Sequence, residues 1–319
     1  MTPGPVRVAA FYAFSPLPPD VREGLLQQLP RLAAGEGVLG TVLIASEGVN
    51  GTVCGPHDGV ASLLAHLHGQ LDAVDAGFHG LEVKWSDSPD AVFRRFKARR
   101  KREIVTMGVP SVDPRATVGT YVEPGEWNAL INDPDTLVID TRNTYEIALG
   151  RFDGALDPGT ESFRGFPAWV EQELRPLLER QAPKRIAMYC TGGIRCEKAS
   201  SYLQQLGLGD VHHLHGGILK YLETVPVEES RWQGECYVFD QRVAINHQLA
   251  PGTHRLCHAC GLPLTPADRQ LDSYRPGIQC CHCVDRFSDA DRARFAERQR
   301  QLEQAKQVGR PADHGVERQ

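Results

Sequence analysis

Cys190 opens the segment Cys190-Thr191-Gly192-Gly193-Ile194-Arg195, directly after an apolar run from Ile186 to Tyr189 that follows Pro183 and Lys184. The run reads as a buried strand, and the glycine pair lets the chain turn tightly with several backbone N–H groups pointing inward. Glu197 to Gln205 reads as a helix, so its positive N-terminal end faces the same loop. Together with Arg195 these features lower the pKa of a thiol, which makes Cys190 the candidate nucleophile. Four residues separate Cys190 from Arg195. A Cys-x5-Arg phosphatase loop, sized to wrap a tetrahedral phosphate, is one residue longer. Phosphatase chemistry is therefore disfavoured, and the shorter cradle suits a smaller group on sulfur, such as a persulfide. Cys196 follows at once, as a resolving thiol or as a packed helix residue.

A second constellation lies near the C-terminus. Cys257 and Cys260 form one Cys-x2-Cys pair, Cys280 and Cys283 another, and nineteen residues separate the pairs. Two such knuckles supply four thiolates to one tetrahedral zinc, a closed site with a structural rather than a Lewis-acid role. Cys281, His258 and His282 are spare donors in the same segment. A third feature is charge. Arg94, Arg95, Lys97, Arg99, Arg100, Lys101 and Arg102 place seven positive charges in nine residues, inside a chain of net charge −5. Such a run neutralises phosphates without regard to base sequence, and Phe93 and Phe96 beside it are candidates to stack on unpaired bases.

The elements that position these groups fall into several domains, as 319 residues and 41% hydrophobic content allow. Residues 1–106 alternate strand and helix patterns. Val6–Phe14 reads as a strand and Asp20–Ala34 as a helix with Asp20 as N-cap. Gly40–Ala45 and Gly51–Cys54 read as strands joined through residues 46–50, Val60–Leu71 as a helix, and Leu81–Ser86 as a last strand. That βαββαβ order predicts a ferredoxin-like domain. Residues 107–122 read as a linker. From 123 to 226 strands and helices alternate, which predicts a parallel sheet with the Cys190 loop at a strand's C-terminal end. Residues 227–307 form a cysteine-rich C-terminal region, with a helix from Asp289 to Lys306 capped by Ser288. A tail at 308–319 is expected to be disordered. No stretch has the basic-then-apolar pattern of a secretory leader or the apolar length of a membrane span, so no membrane partner is expected. Nine cysteines without such a leader point to reduced thiols and a cytoplasmic setting. Neither a P-loop nor a two-histidine-one-carboxylate iron site is present.

The 123–226 segment resembles a rhodanese domain. The matching residues are Val138-Ile-Asp140-Thr-Arg142 with Glu146, Gly150 to Ala155, the Cys190–Arg195 loop, and His213-Leu-His-Gly-Gly217-Ile218. The resemblance implies that Asp140, Arg142 and Glu146 are structural ion-pair residues bracing the loop, and that Gly216 and Gly217 form a close-packed turn. Arg151 stands where the family commonly has histidine. Further motifs, Glu47 to Thr52, Asp157 to Arg164 and Gly234 to Val243, extend the likeness over most of the chain. They resemble the TrhO family of rhodanese-like tRNA uridine hydroxylases. That resemblance implies oxygen-dependent conversion of the wobble uridine to 5-hydroxyuridine, with O2 as co-substrate and a tRNA anticodon loop as partner. Cys190 would then attack C6 of the uracil. The alternative is a rhodanese-type sulfurtransferase carrying a persulfide on Cys190, and a third reading is a non-catalytic RNA-binding adaptor.

Overall fold

A computed structural model describes residues 5–307; the expected disordered tail lies outside them. The chain divides into two compact units, one running to Gln241 and including Ile245–Ala250, the other comprising Arg242–Ala244 and the chain from Pro251.

The first unit begins with β1 (Val6–Phe14), α1 (Pro19–Glu36), β2 (Leu39–Ala45), β3 (Gly48–Gly55), α2 (His57–Asp72), β4 (Glu82–Ser88) and β5 (Phe96–Arg100). The strands form one sheet in the order β4-β1-β3-β2-β5. The first four strands are antiparallel to their neighbours, and β5 adds to the edge parallel to β2. Strand alternation decides the layers. Ala9, Phe11 and Ala13 of β1, Val42 and Ile44 of β2, and Val49 and Val53 of β3 face the helices. There they pack on Leu25, Leu29 and Ala33 of α1 and Leu63, Leu67 and Leu71 of α2. Val83, Trp85, Phe96 and Ala98 join the same core. The intervening residues Tyr12, Glu82, Lys84, Lys97 and Arg99 therefore belong to the opposite face.

This is the expected ferredoxin-like order, with three local differences. Helix α1 starts at Pro19 after Pro18 with no side-chain cap, so Asp20 sits in the first turn instead of capping it. A proline's fixed φ suits the start of a helix without a capping side chain. The β2–β3 turn is only Ser46-Glu47, because β3 begins at Gly48. A Cβ on Gly48 would lie 2.0 Å from the Ala13 carbonyl oxygen, which explains the glycine. The fifth strand is the third difference: Phe96–Arg100, within the basic stretch, adds a strand to the sheet edge.

The same unit continues with β6 (Thr120–Val122), α3 (Pro124–Ile131), β7 (Thr136–Asp140), α4 (Thr144–Ile147) and β8 (Gly150–Phe152). Helical segments α5 (Phe166–Trp169) and α6 (Arg175–Gln181) follow, then β9 (Arg185–Tyr189), α7 (Ile194–Gln205), β10 (Val211–Leu214) and α8 (Gly217–Thr224). Strands β6-β10-β9-β7 make a wholly parallel sheet, as predicted. Strand β6 lies within the stretch read as linker. Strand β11 (Trp232–Gly234) pairs antiparallel with β8, so this part of the 227–307 region packs with the parallel-sheet domain. The end of β9 is held by aromatic packing. Phe152 meets Tyr189, Tyr221 and Trp232 edge-on at 4.9, 4.9 and 5.2 Å. Each such pair contributes about 0.5–1.5 kcal/mol beyond its buried area.

The second unit contains a short hairpin, Arg255–Leu256 with Pro263–Leu264, the four paired cysteines, and α9 (Asp289–Gln307). Ser288 caps α9 as expected: its Oγ accepts the Asp291 N–H at 3.2 Å, and the Asp291 carboxylate accepts the Ser288 N–H at 3.2 Å. No helix among the described residues is long and apolar enough to cross a membrane.

Candidate active site

Cys190 follows β9 at the C-terminal edge of the parallel sheet and is fully buried. Helix α7 begins earlier than its sequence pattern suggests, at Ile194, with Gly193 as N-cap at φ 96°. Arg195 and Cys196 therefore lie in its first turn, where the N–H groups point back at the loop, that of Cys196 donating to the Gly193 carbonyl at 2.9 Å. The Gly193 N–H donates to the Cys190 sulfur at 3.1 Å. Burial would raise the Cys190 thiol, but it is outweighed by a hydrogen bond from the Cys196 thiol, the charge of Arg195, and the N–H groups of Cys196 and Arg195. The net direction is downward, toward a thiolate at neutral pH. Cys196 moves the opposite way, because burial and the Cys190 sulfur both keep its proton on. Its sulfur also lies 3.5 Å from Thr141 Oγ1.

Gly216 and Gly217 close over this loop. Gly217 has φ 66°, and a Cβ there would lie 2.5 Å from the Cys190 oxygen and 2.6 Å from the Gly193 nitrogen. Ile218 and Leu219 donate their N–H groups to the carbonyls of Cys190 and Thr191 at 2.9 and 3.0 Å.

Arg195 is committed elsewhere through its side chain. Its guanidinium donates to both Glu146 oxygens at 2.6 and 2.7 Å, and Thr191 Oγ1 donates to the same carboxylate at 3.1 Å. Burial would raise the Glu146 carboxyl, but Arg195 and Arg142 outweigh it and hold it below the usual range. Arg142 pairs with Asp140 through three contacts of 2.6–3.2 Å, and donates to the Gly150 carbonyl at 2.6 Å. These are the bracing ion pairs that the rhodanese resemblance implies. Arg195 thus acts on Cys190 by its charge and its backbone, with the fork of its guanidinium already occupied.

The sequence reading missed the other half of the surroundings, which comes from the N-terminal domain. Tyr12 and Tyr121 donate to the two oxygens of Glu197, each at 2.8 Å. Tyr12 Oη lies 3.0 Å from where a Cβ on Gly193 would be. His215, in the glycine turn, bonds Glu123 through Nδ1 at 2.6 Å and Glu82 through Nε2 at 3.2 Å. The Glu82 hydrogen bond, with Glu123, outweighs burial and raises His215 to about 9. Lys198 of α7 donates to Glu47 at 2.9 Å, Glu103 at 2.8 Å and the Val105 carbonyl at 3.0 Å. Glu47, from the first-domain motif, therefore docks that domain onto α7. Lys84 is 3% exposed, with its ammonium 3.4 Å from Glu82 and 4.3 Å from the Tyr12 ring centroid. A lysine alternating with Val83 and Trp85 reads in sequence as an ordinary solvent-facing strand residue, so no local signal marks it.

The basic residues gather on and around the edge strand β5. Arg94, Arg95, Arg99, Arg100 and Arg102 are exposed, and Lys97 and Lys101 are half-buried. Arg100 pairs with Glu23. Phe93 is buried with Val8, Cys54 and Val92, and Phe96 packs into the helix-covered core. Both rings anchor the strand, so the stacking expected of them is corrected.

In the second unit Cys257, Cys260, Cys280 and Cys283 are all buried with their sulfurs drawn together. The contacts Cys257–Cys283, Cys260–Cys280 and Cys280–Cys283 measure 4.0, 3.8 and 3.6 Å. A tetrahedral metal with sulfur at about 2.3 Å sets sulfur–sulfur edges of about 3.8 Å. The residues fit a tetrahedral metal ion. Asp268, Cys281 and His282 bring their donors together separately.

A rhodanese-type cysteine loop, packed against the open face of a ferredoxin-like sheet, defines a rhodanese-domain protein with an added acylphosphatase-like domain. Residues 6–104 match the UPF0176 acylphosphatase like domain, and residues 123–224 match the rhodanese-like domain. The chain is 68% identical to a tRNA uridine(34) hydroxylase of Parasynechococcus marenigrum (strain WH8102), over 93% of this chain and 92% of that protein. It is 65% identical to the protein of that name in Synechococcus sp. (strain CC9605), over 93% and 91% of the two chains. It is 60% identical to that of Prochlorococcus marinus (strain MIT 9303), over 93% and 94%. The chain belongs to this family of rhodanese-like proteins that carry the name tRNA uridine(34) hydroxylase.

Proposed function

We propose that this protein hydroxylates the wobble uridine of tRNA to 5-hydroxyuridine, using O2, with Cys190 as the nucleophile. The observation that carries substrate and reaction is the 68% identity, over 93% of the chain, to a relative of that name. The geometry supports the role of Cys190, since the loop favours its thiolate. The thiolate forms a bond from Sγ to C6 while the C5=C6 electron pair shifts toward the C4 carbonyl oxygen, which makes C5 nucleophilic. C5 then takes one atom of O2. Two electrons from an external reductant and two protons convert the other atom to water. Loss of the C5 proton expels the thiolate and restores the C5=C6 bond.

Around that step, Thr191, Gly192, Gly193 and Ile194 form the cradle, with Arg195 fixed on Glu146. Cys196 serves as a neutral donor to the Cys190 sulfur, in keeping with its retained proton. Because Cys190 is fully covered here, a flipped base reaches it only when the side chains over the loop shift. Arg94, Arg95, Lys97, Arg99, Arg100, Lys101 and Arg102 bind tRNA phosphates. The four cysteines hold a structural zinc, and the protein works in the cytoplasm, where its tRNA substrate is found.

The test is nucleoside mass spectrometry of tRNA from cells lacking this protein, complemented with wild type or Cys190→Ala. The expected result is loss of 5-hydroxyuridine that wild type restores and Cys190→Ala does not. Restoration by Cys190→Ala refutes the assignment of Cys190.

A further inference from the structure

Lys84 is a lysine of β4 that lies beside the loop and is only 3% exposed. Its ammonium is buried and ion-paired with Glu82 at 3.4 Å. Glu82 is shared with His215, so this one carboxylate compensates the buried ammonium only in part, and a further negative charge nearby stabilises it. Its surroundings are those of the Cys190 loop. Glu82 Oε1 lies 3.4 Å from where a Cβ on Gly216 would be, and Gly216 Cα lies 3.5 Å from where a Cβ on Gly193 would be. The Tyr12 ring beneath Lys84 reaches Glu197 of α7 through its hydroxyl. After Glu82, the Cys190 sulfur favours the charged form of Lys84.

We propose that Lys84 is a positioning residue of the active site: its ammonium, delivered by the N-terminal domain, stabilises the Cys190 thiolate alongside Arg195. The N-terminal domain then completes the reactive centre as well as contacting tRNA. Lys84 touches Glu82 on its own strand and the Tyr12 ring on β1, and the charges of Cys190 in the loop and Glu197 on α7 also favour its ammonium. His215, from the glycine turn, holds the far side of Glu82. Burial lowers Lys84 to about 8 against the pull of Glu82, Cys190 and Glu197. Lys84 is therefore a cation at neutral pH and loses its charge as pH rises through about 8.

The inference rests on Cys190 as the reacting thiol, not on uridine as its target. It is tested on the full chain by thiolate absorbance near the ultraviolet edge, taken as the difference between each protein and its Cys190→Ala counterpart across pH. Lys84→Met is expected to move the Cys190 midpoint upward by about one pH unit or more, a tenfold loss of thiolate below the midpoint. Lys84→Arg, which keeps the charge, is expected to restore the low midpoint. Lys84→Gln repeats the comparison should the methionine variant unfold. An unchanged midpoint in Lys84→Met or Lys84→Gln overturns the proposal. Because the absorbance arm needs no tRNA, its failure is distinguishable from failure of the hydroxylase reading.

Discussion

Glu146 is fully buried and accepts from Arg195, Thr191 and the Asn143 N–H, so one carboxylate ties the active loop to α4. Removing it strands a buried guanidinium. Breaking a buried ion pair from one side costs about 3–5 kcal/mol. Glu146→Ala is therefore expected to lower unfolding free energy by about that amount, measured by urea denaturation; a change below about 1 kcal/mol contradicts the bracing role. At this scale the sequence was informative where spacing carried the chemistry. The four-residue gap from Cys190 to Arg195 and the glycines between them are local, and so is the cradle they form. Lys84, Tyr12 and Glu197 were not legible, because their meaning arises only when two domains meet.

Among the elements, the ferredoxin-like order and the parallel sheet could be read from alternation and helical spacing. Strand β5 could not, since its arginines conceal the two inward residues, Phe96 and Ala98, that hold it to the core. Strand β6 was hidden for another reason: three residues are too few to show a period. The paired cysteines show the opposite case, where spacing alone predicts a geometry that the 3.6–4.0 Å sulfur contacts match. The hairpin and turns around them contain little other apolar material. A metal ion held by them would contribute folding energy directly. Chelation, or Cys257→Ser, is expected to release a single zinc per chain and to unfold residues 251–307 while the Cys190 thiolate titration stays unchanged. Metal analysis with hydrogen exchange checks this, and full exchange protection without metal contradicts it.

For the whole molecule, one sheet face relates the proposed tRNA contacts to the reactive cysteine. Lys97 and Arg99 share that face with Lys84 and Tyr12, at the opposite edge of the sheet. Four inter-strand spacings of about 4.8 Å put β5 about 19 Å from β4, comparable to the width of a nucleic-acid stem. The face that covers the Cys190 loop can therefore carry phosphate contacts at one edge while its other edge tunes the thiolate. Attack of the Cys190 sulfur itself on a tRNA uridine is tested by denaturing mass spectrometry of the protein trapped with an anticodon stem-loop containing 5-fluorouridine at the wobble position. The expected result is a covalent RNA adduct that maps to the peptide holding Cys190 and disappears in Cys190→Ala. No adduct, or only an added sulfur on Cys190, contradicts it.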